Sequence, residues 1–220
     1  LIKTLVDSGI DVCFTNPGTS EMHFVAALDE ISGMRCVLGL FEGVVSGAAD
    51  GYARMARKPA STLLHTGPGF SNALANIHNA MKGHVPMINI VGDHATYHLQ
   101  YNAPLTSDIE GLARPVSDWV KTTIKPENVA QDAVMAVSAA AHDKIATLIL
   151  PADVSWSDNP NGASSPAKIP PRATVCRDRI DDAVAMLQTD GTTMILIGGT
   201  EITAELGILL GKLGQATGAR

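Results

Sequence analysis

Two short runs, Pro86-Met87-Ile88-Asn89-Ile90-Val91 and Thr147-Leu148-Ile149-Leu150, are almost wholly apolar and too short for helices. A strand with one wet face alternates apolar and polar residues. A continuously apolar strand is one buried on both faces, as in a parallel sheet covered by helices. Around these runs the sequence alternates strand and helix signals, with strands expected at residues 11–15, 35–40, 60–65, 86–91, 119–124 and 146–150. Helices are expected at 1–8, 20–31, 42–57, 71–82 and 127–142. Repeated βα order implies a doubly wound α/β domain with a mostly parallel six-stranded sheet flanked by helices. Aromatic residues make up only 4% of the chain against 45% hydrophobic, so the core must be built from aliphatic side chains and Met.

The character changes after residue 156. Asp158-Asn159-Pro160-Asn161-Gly162, followed by Pro166, Pro170 and Pro171, cannot hold a helix. Residues 157–175 therefore read as a linker between a domain spanning 1–156 and a segment, 176–220, that looks like the start of a second α/β domain. That segment is expected to contain a helix at 180–187, a strand at 194–197, the turn Gly198-Gly199 and a helix at 202–213. One strand has nothing to pair with, so the chain is expected to stop within a domain. Leu1 stands where a start methionine would, so residues upstream are expected to be missing or to have been removed.

Several function classes are disfavoured. The net charge is −6 with no run of Lys or Arg, so no nucleic-acid footprint is visible. No stretch of about 18 apolar residues would span a membrane, and no signal peptide opens the chain. Three cysteines, Cys13, Cys36 and Cys176, are far apart and show no zinc or disulfide pattern, which suits a reduced, cytoplasmic setting.

In open α/β sheets, ligands sit at the carboxyl ends of the strands. Three loops there are unusual: Asn16-Pro17-Gly18-Thr19-Ser20-Glu21, the helix opening at Glu42, and His65-Thr66-Gly67-Pro68-Gly69-Phe70-Ser71-Asn72. A carboxylate in a first helical turn is favoured by the helix dipole alone. Glu42, however, lies between the apolar runs Val37–Phe41 and Val44-Val45, where desolvation should raise its pKa as a proton-relay acid requires. Gly43, Gly47, Ala48 and Ala49 allow close approach, of a ligand or of a neighbouring helix. His65 ends an apolar strand, where a structural role is the ordinary one. Gly67-Pro68-Gly69 is neither a dinucleotide fingerprint nor a phosphate-binding loop. His94 and His98 lack the carboxylates that would make them a metal pair, and no metal ligand set is identified.

Taken together, Phe14-x-Asn16-Pro17-Gly18, Glu42 with Ala49-Asp50-Gly51-Tyr52-Ala53-Arg54, Gly67-Pro68-Gly69-x-x-Asn72 and Arg114-Pro115 resemble the acetolactate synthase and benzoylformate decarboxylase group of thiamine-diphosphate enzymes. The resemblance covers roughly residues 1–156 as the pyrimidine-binding domain. It implies that Glu42 hydrogen-bonds a ring nitrogen of the cofactor's aminopyrimidine and so promotes loss of the thiazolium proton. Pro17 and Gly18 would present backbone to the pyrimidine, and Asn72 would line the same pocket. The substrate would be a small 2-oxo acid, decarboxylated with or without carboligation. It further implies Mg2+ and diphosphate binding through a Gly-Asp-Gly…Asn motif of a later domain absent from this chain. The pyrimidine half of one subunit would meet the diphosphate half of another, in a homodimer or homotetramer. By itself the chain would be inactive. FAD is compatible with the resemblance, but no motif here supports it.

Departures from the family pattern concern the substrate side. Ala103-Pro104-Leu105-Thr106 stands where synthases show Ala-Phe-Gln-Glu. His65 matches a histidine of benzoylformate decarboxylase that acts on bound intermediates, and Thr19 stands where that enzyme has a serine. Thr19, Pro104 and Leu105 are thus substrate-pocket candidates, His65 a catalytic one, and the pocket leans toward decarboxylation. Two other readings remain: a nucleotide-binding oxidoreductase, whose glycine fingerprint Pro17 interrupts, and a non-catalytic assembly module.

Overall fold

The computed structural model describes residues 1–189, 191–198 and 202–220. It divides into two compact units, Leu1–Ile169 and Pro170–Arg220. In the first, six strands are all parallel: β1 (Val12–Asn16), β2 (Arg35–Leu38), β3 (Ala60–His65), β4 (Met87–Asp93), β5 (Trp119–Thr122) and β6 (Ile145–Pro151). They lie in the order β2-β1-β3-β4-β6-β5. The helices are α1 (Ile2–Asp7), α2 (Met22–Glu30), α3 (Glu42–Ala56), α4 (Thr66–Lys82), α5 (Ile109–Ala113), α6 (Val129–Ala140) and α7 (Ala152–Trp156).

The period-2 geometry of strands sorts the apolar residues into two cores. Val12, Phe14, Leu64, Met87, Val91, Ile145 and Ile149 face a layer containing Phe70, Ala73 and Ile77 of α4 and Val45 and Ala49 of α3. Cys13, Leu63, Ile88, Ile90 and Ala146 face Leu5, Phe24, Ala133 and Val137 on the opposite side. Every residue of β4 and β6 is buried, as their apolar runs require. β2 behaves differently: as an edge strand it leaves Leu38 65% exposed.

A polar row crosses the first core. Thr62, Asn89 and Thr147 are register partners on β3, β4 and β6, all fully buried. Thr62 Oγ1 donates to Asn89 Oδ1 at 2.8 Å, Asn89 Nδ2 donates to Thr147 Oγ1 at 3.4 Å, and Thr147 Oγ1 meets Ser117 Oγ at 2.7 Å. Buried polar groups are tolerated when paired in this way. α3 and α4 are tied by Ser46 Oγ to the Ala73 carbonyl at 3.2 Å and by Asn76 Nδ2 to the Gly43 carbonyl at 2.6 Å. Gly47 of α3 serves this packing, while Gly43 gives room to the Phe41 ring that precedes the helix. A Cβ on Gly47 would lie 3.2 Å from Asn76 Nδ2, and one on Gly43 would strike the Phe41 ring at 2.3 Å.

Several expectations need correction. Gly67-Pro68-Gly69 is not a loop but the first turn of α4, which begins five residues before the expected start; Pro at an early helical position needs no amide donor. The stretch between β4 and β5, for which no helix was expected, contains α5 and short 3-10 turns. β2 stops at Leu38 and β5 at Thr122. In the second unit, α8 (Arg177–Leu187) and α9 (Ala204–Thr217) match the expected helices in kind. Residues 194–197, expected as a strand, are irregular. The Ile195 amide bonds the Arg220 carbonyl and the Arg220 amide bonds that of Thr193, and two such bonds do not make a ladder. Gly199 of the expected Gly198-Gly199 turn lies outside the described residues. Residues 157–176 contain no helix or strand, and the Ser164 and Ala167 amides bond Thr4 Oγ1 and Ser8 Oγ of the first unit.

Leu63→Ala should cost about 2–5 kcal/mol through lost burial and the cavity left behind. Asn89→Ala, which strands the Thr62 hydroxyl and leaves Thr147 with Ser117 alone, should cost about 1–3 kcal/mol. Urea unfolding would read both as lowered midpoints at unchanged slope.

Candidate functional site

The strand order creates one place where connections diverge. α2 carries the chain from β1 outward to β2, whereas α3 returns across β1 to β3, and α4 continues to β4. α2 packs on one face of the sheet and α3 and α4 on the other. The crevice left between the carboxyl ends of β1 and β3 is the switch point at which such sheets bind ligands. Asn16-Pro17-Gly18 follows β1 there, His65 ends β3, and Glu42 opens α3 just beyond β2.

Glu42 is 7% exposed. Its Oε2 accepts a hydrogen bond from Asn72 Nδ2 at 3.0 Å, and its Oε1 lies beside Gly69, where a Cβ would come within 2.9 Å. Asn72 and Gly69 both belong to the opening turns of α4, so the α3–α4 packing sets the position of the carboxylate. Of the apolar neighbours expected to enclose it, Val45 is buried, but Leu40, Phe41 and Val44 face outward at 91, 49 and 60% exposure.

On the other side of the crevice a second carboxylate is present that sequence reading left without a role. Glu21 is fully buried, and its Oε2 accepts from the Gly18 amide at 2.7 Å and meets His65 Nδ1 at 2.9 Å. Gly18 itself presses against the imidazole: a Cβ there would lie 2.3 Å from His65 Nδ1. Burial pushes the Glu21 carboxyl above the ordinary carboxylate range, against the pull of the Gly18 amide and of His65. The only local signal was Glu three residues after a glycine in a turn; its partner is 44 residues away in sequence.

Between the two carboxylates runs the start of α4. Thr66 is buried with a left-handed φ of 52°, and its Oγ1 has no hydrogen-bond partner among the described residues. A non-glycine residue held in that region stores backbone strain, a feature that clusters at functional sites. A Cβ on Gly67 would strike Ser107 at 2.2 Å, so the loop carrying Pro104 and Leu105 packs over this turn. Pro104, Leu105 and Thr19 are exposed, and Pro17 and Gly18 partly so. Thr19 instead lines a separate open cavity of about 310 Å³ with His94, Tyr97, His98 and Trp156. No group of three or more metal-ligating side chains occurs among the described residues, and no described helix is long and apolar enough to cross a membrane.

Residues 1–113 match the family model described as thiamine pyrophosphate enzyme, N-terminal TPP binding domain. The chain belongs to this family. It is 52% identical, over its whole length and 42% of the relative's, to a Mycobacterium tuberculosis protein named as an acetolactate synthase large subunit, IlvX. It is 33% identical to benzoylformate decarboxylase of Pseudomonas aeruginosa over half of this chain and 21% of that enzyme. The crystal structure of benzoylformate decarboxylase from Polynucleobacter necessarius superposes with a TM-score of 0.78 at 25% identity, covering 88% of this chain and 36% of that one. The chain therefore spans less than half the length of these relatives, and what it contains is their amino-terminal, cofactor-binding part.

The Glu21 carboxyl gives a signed pH dependence. Above the ordinary Glu value of about 4.3 the unfolded chain releases a proton that the native state still holds, so this group makes stability fall as pH rises toward its raised value. Glu21→Gln should remove that contribution. Urea midpoints of parent and variant measured from pH 4 to 8 should diverge in the variant's favour as pH rises; a gap that closes with rising pH would contradict the assignment.

Proposed function

We propose that this chain supplies the aminopyrimidine-binding half of a thiamine-diphosphate site acting on small 2-oxo acids, acetolactate synthase-like in ancestry. The observation that carries the reading is the placement of Glu42: a nearly buried carboxylate, held by Asn72 against the glycine-walled first turn of α4, beside the sheet's switch point. These residues fit the cofactor's flat, nitrogen-bearing ring. A fixed carboxyl offers it a hydrogen bond, the Pro17-Gly18 backbone offers an edge, and Gly69 lacks the Cβ that would crowd the carboxylate. When bound, thiamine diphosphate supplies the nucleophilic carbon that adds to a 2-oxo acid and the electron sink for loss of carbon dioxide.

The chain's own residues then have distinct tasks. Glu42 holds a ring nitrogen and the proton exchanged there. Asn72 keeps the Glu42 carboxylate oriented at 3.0 Å. His65, on the far side of the crevice, serves the substrate and its products, with Pro104 and Leu105 at the mouth and Thr19 in the neighbouring open cavity. A benzoylformate-type decarboxylase is favoured over a carboligating synthase by His65 being anchored in the crevice, bonded to Glu21 at 2.9 Å. Mg2+ and the diphosphate would be held by a domain outside these residues, and nothing in the crevice calls for FAD. The exposed Leu38, Leu40, Phe41 and Val44 flank Glu42 and suit coverage by a second subunit, in a homodimer or homotetramer. The domain division proposed is 1–156, a linker at 157–175, and a second α/β domain opening at 176. Three free cysteines fit a cytoplasmic location.

In the complete enzyme, Glu42→Gln should keep the fold and reduce turnover by at least about a hundredfold, the scale for losing a positioned proton-transfer group. Exchange of the thiazolium-carbon proton in deuterated buffer, followed by NMR, should slow in step; parental exchange would reject Glu42 as activator. His65→Ala should impair decarboxylation or product release while leaving that exchange intact. Leu40→Asp should weaken subunit association in sedimentation of the complete protein, and unaltered sedimentation would place the interface elsewhere.

A further inference from the structure

The Glu21 carboxylate occupies a slot that exists because of a missing side chain on the next strand but one. Gly92 of β4 is the register partner of His65 on β3. A Cβ on Gly92 would lie 1.6 Å from Glu21 Oε1 and 2.5 Å from its carboxyl carbon, far inside any contact that could be tolerated. The carboxylate thus reaches from the β1 loop across the end of β3 and lies over bare backbone. Its Oε1 is shielded from solvent and has no hydrogen-bond partner among the described residues. Its Oε2 collects the Gly18 amide at 2.7 Å and His65 Nδ1 at 2.9 Å. Burying a carboxyl with one oxygen unpaired is costly, and the bonds to Gly18 and His65 offset only part of that cost.

We propose that Glu21 is a positioning residue that fixes the tautomer of His65: Nδ1 carries the proton and donates it to Glu21, leaving Nε2 as a bare acceptor. The inference rests on the reading of His65 as a substrate-side residue of a thiamine-diphosphate site, and it specifies how that residue acts. An imidazole held by a carboxylate at one nitrogen can take a proton or accept a hydrogen bond only at the other. His65 therefore meets the substrate or its products first as an acceptor, not as a donor. Gly18 packs against the ring on the Nδ1 side, where a Cβ would come within 2.3 Å of that nitrogen. Gly92 is a second positioning element, because it makes room for the carboxylate that holds the ring.

The test reads the imidazole directly. The protein contains 7 histidines, and a long-range proton–nitrogen NMR spectrum at pH 7.5 separates protonated from bare ring nitrogens, with His65 assigned by the signals missing from His65→Ala. The parent should show His65 protonated at Nδ1 and bare at Nε2. Glu21→Leu and Gly92→Ala should both lose that pattern, the first by removing the acceptor and the second by expelling it. Glu21→Gln, whose amide oxygen can still accept from Nδ1, should restore it, which a merely structural role would not require. Far-UV circular dichroism verifies that each variant is folded, and the Gln variant carries the test should the other two unfold. A parent protonated at Nε2, or a folded Gly92→Ala variant with the parental pattern, overturns the proposal. In the complete enzyme, Glu21→Leu should lower kcat by about tenfold or more, the usual scale for losing an orienting partner. Thiazolium exchange should stay at the parental rate. The two readings fail separately: parental exchange in Glu42→Gln removes Glu42 as the cofactor's activator but leaves the tautomer series standing, and a parental tautomer in Gly92→Ala does the reverse.

Discussion

Everything at the candidate site depends on the parallel pairing of β1 with β3. Parallel neighbours cannot be joined by a hairpin, so each strand must send its connection over a face of the sheet. Because β1 sends its helix one way and β2 returns by the other face, the carboxyl ends of β1 and β3 are left side by side with no helix between them. The two carboxylates, the histidine and the strained turn at Thr66 are all consequences of where those ends stop. Stability and site geometry share one framework: the α3–α4 contact that buries Ala49, Ala73 and Ile77 is also what holds Asn72 against Glu42.

Much of this fold was legible because burial writes itself into composition locally. β4 and β6 are covered on both faces, and their sequences contain almost nothing that water could accept. Glu42 was legible for a different reason: it combines a helix start with a recurrent pattern around Ala49-Asp50-Gly51-Tyr52. Glu21 was not, because its meaning lies in a bond to a residue 44 positions away and in the bareness of Gly92. No window of sequence contains those three residues together. The Gly67-Pro68-Gly69 turn misled for a local reason. Two glycines and a proline signal a break, yet at the first turn of a helix, where amides lack intrahelical acceptors, they are compatible with α4. Residues 194–197 have the composition of a strand, but strand formation is a property of pairs, and the described residues of that unit offer them only Arg220.

The surface tells a complementary story. Glu42 is shielded, but the apolar side chains immediately before and after it are not, an inversion of the usual arrangement in which a carboxylate faces water and leucines face the core. Such a surface is what the proposed contact with a second subunit would cover.

The Thr62–Asn89–Thr147 row has a consequence for fidelity. The central strands are so uniformly apolar that a two-residue sliding of β4 against β3 would keep every side chain on its own face and would lose backbone pairs only at the strand ends. Such an error would be nearly silent to the hydrophobic effect, yet it would break the hydroxyl–amide row. It would also bring Ile90 opposite His65 where Gly92 belongs, filling the space that a buried acid needs. Three short polar side chains thereby act as a proofreading device: they allow only the alignment in which the crevice can be assembled.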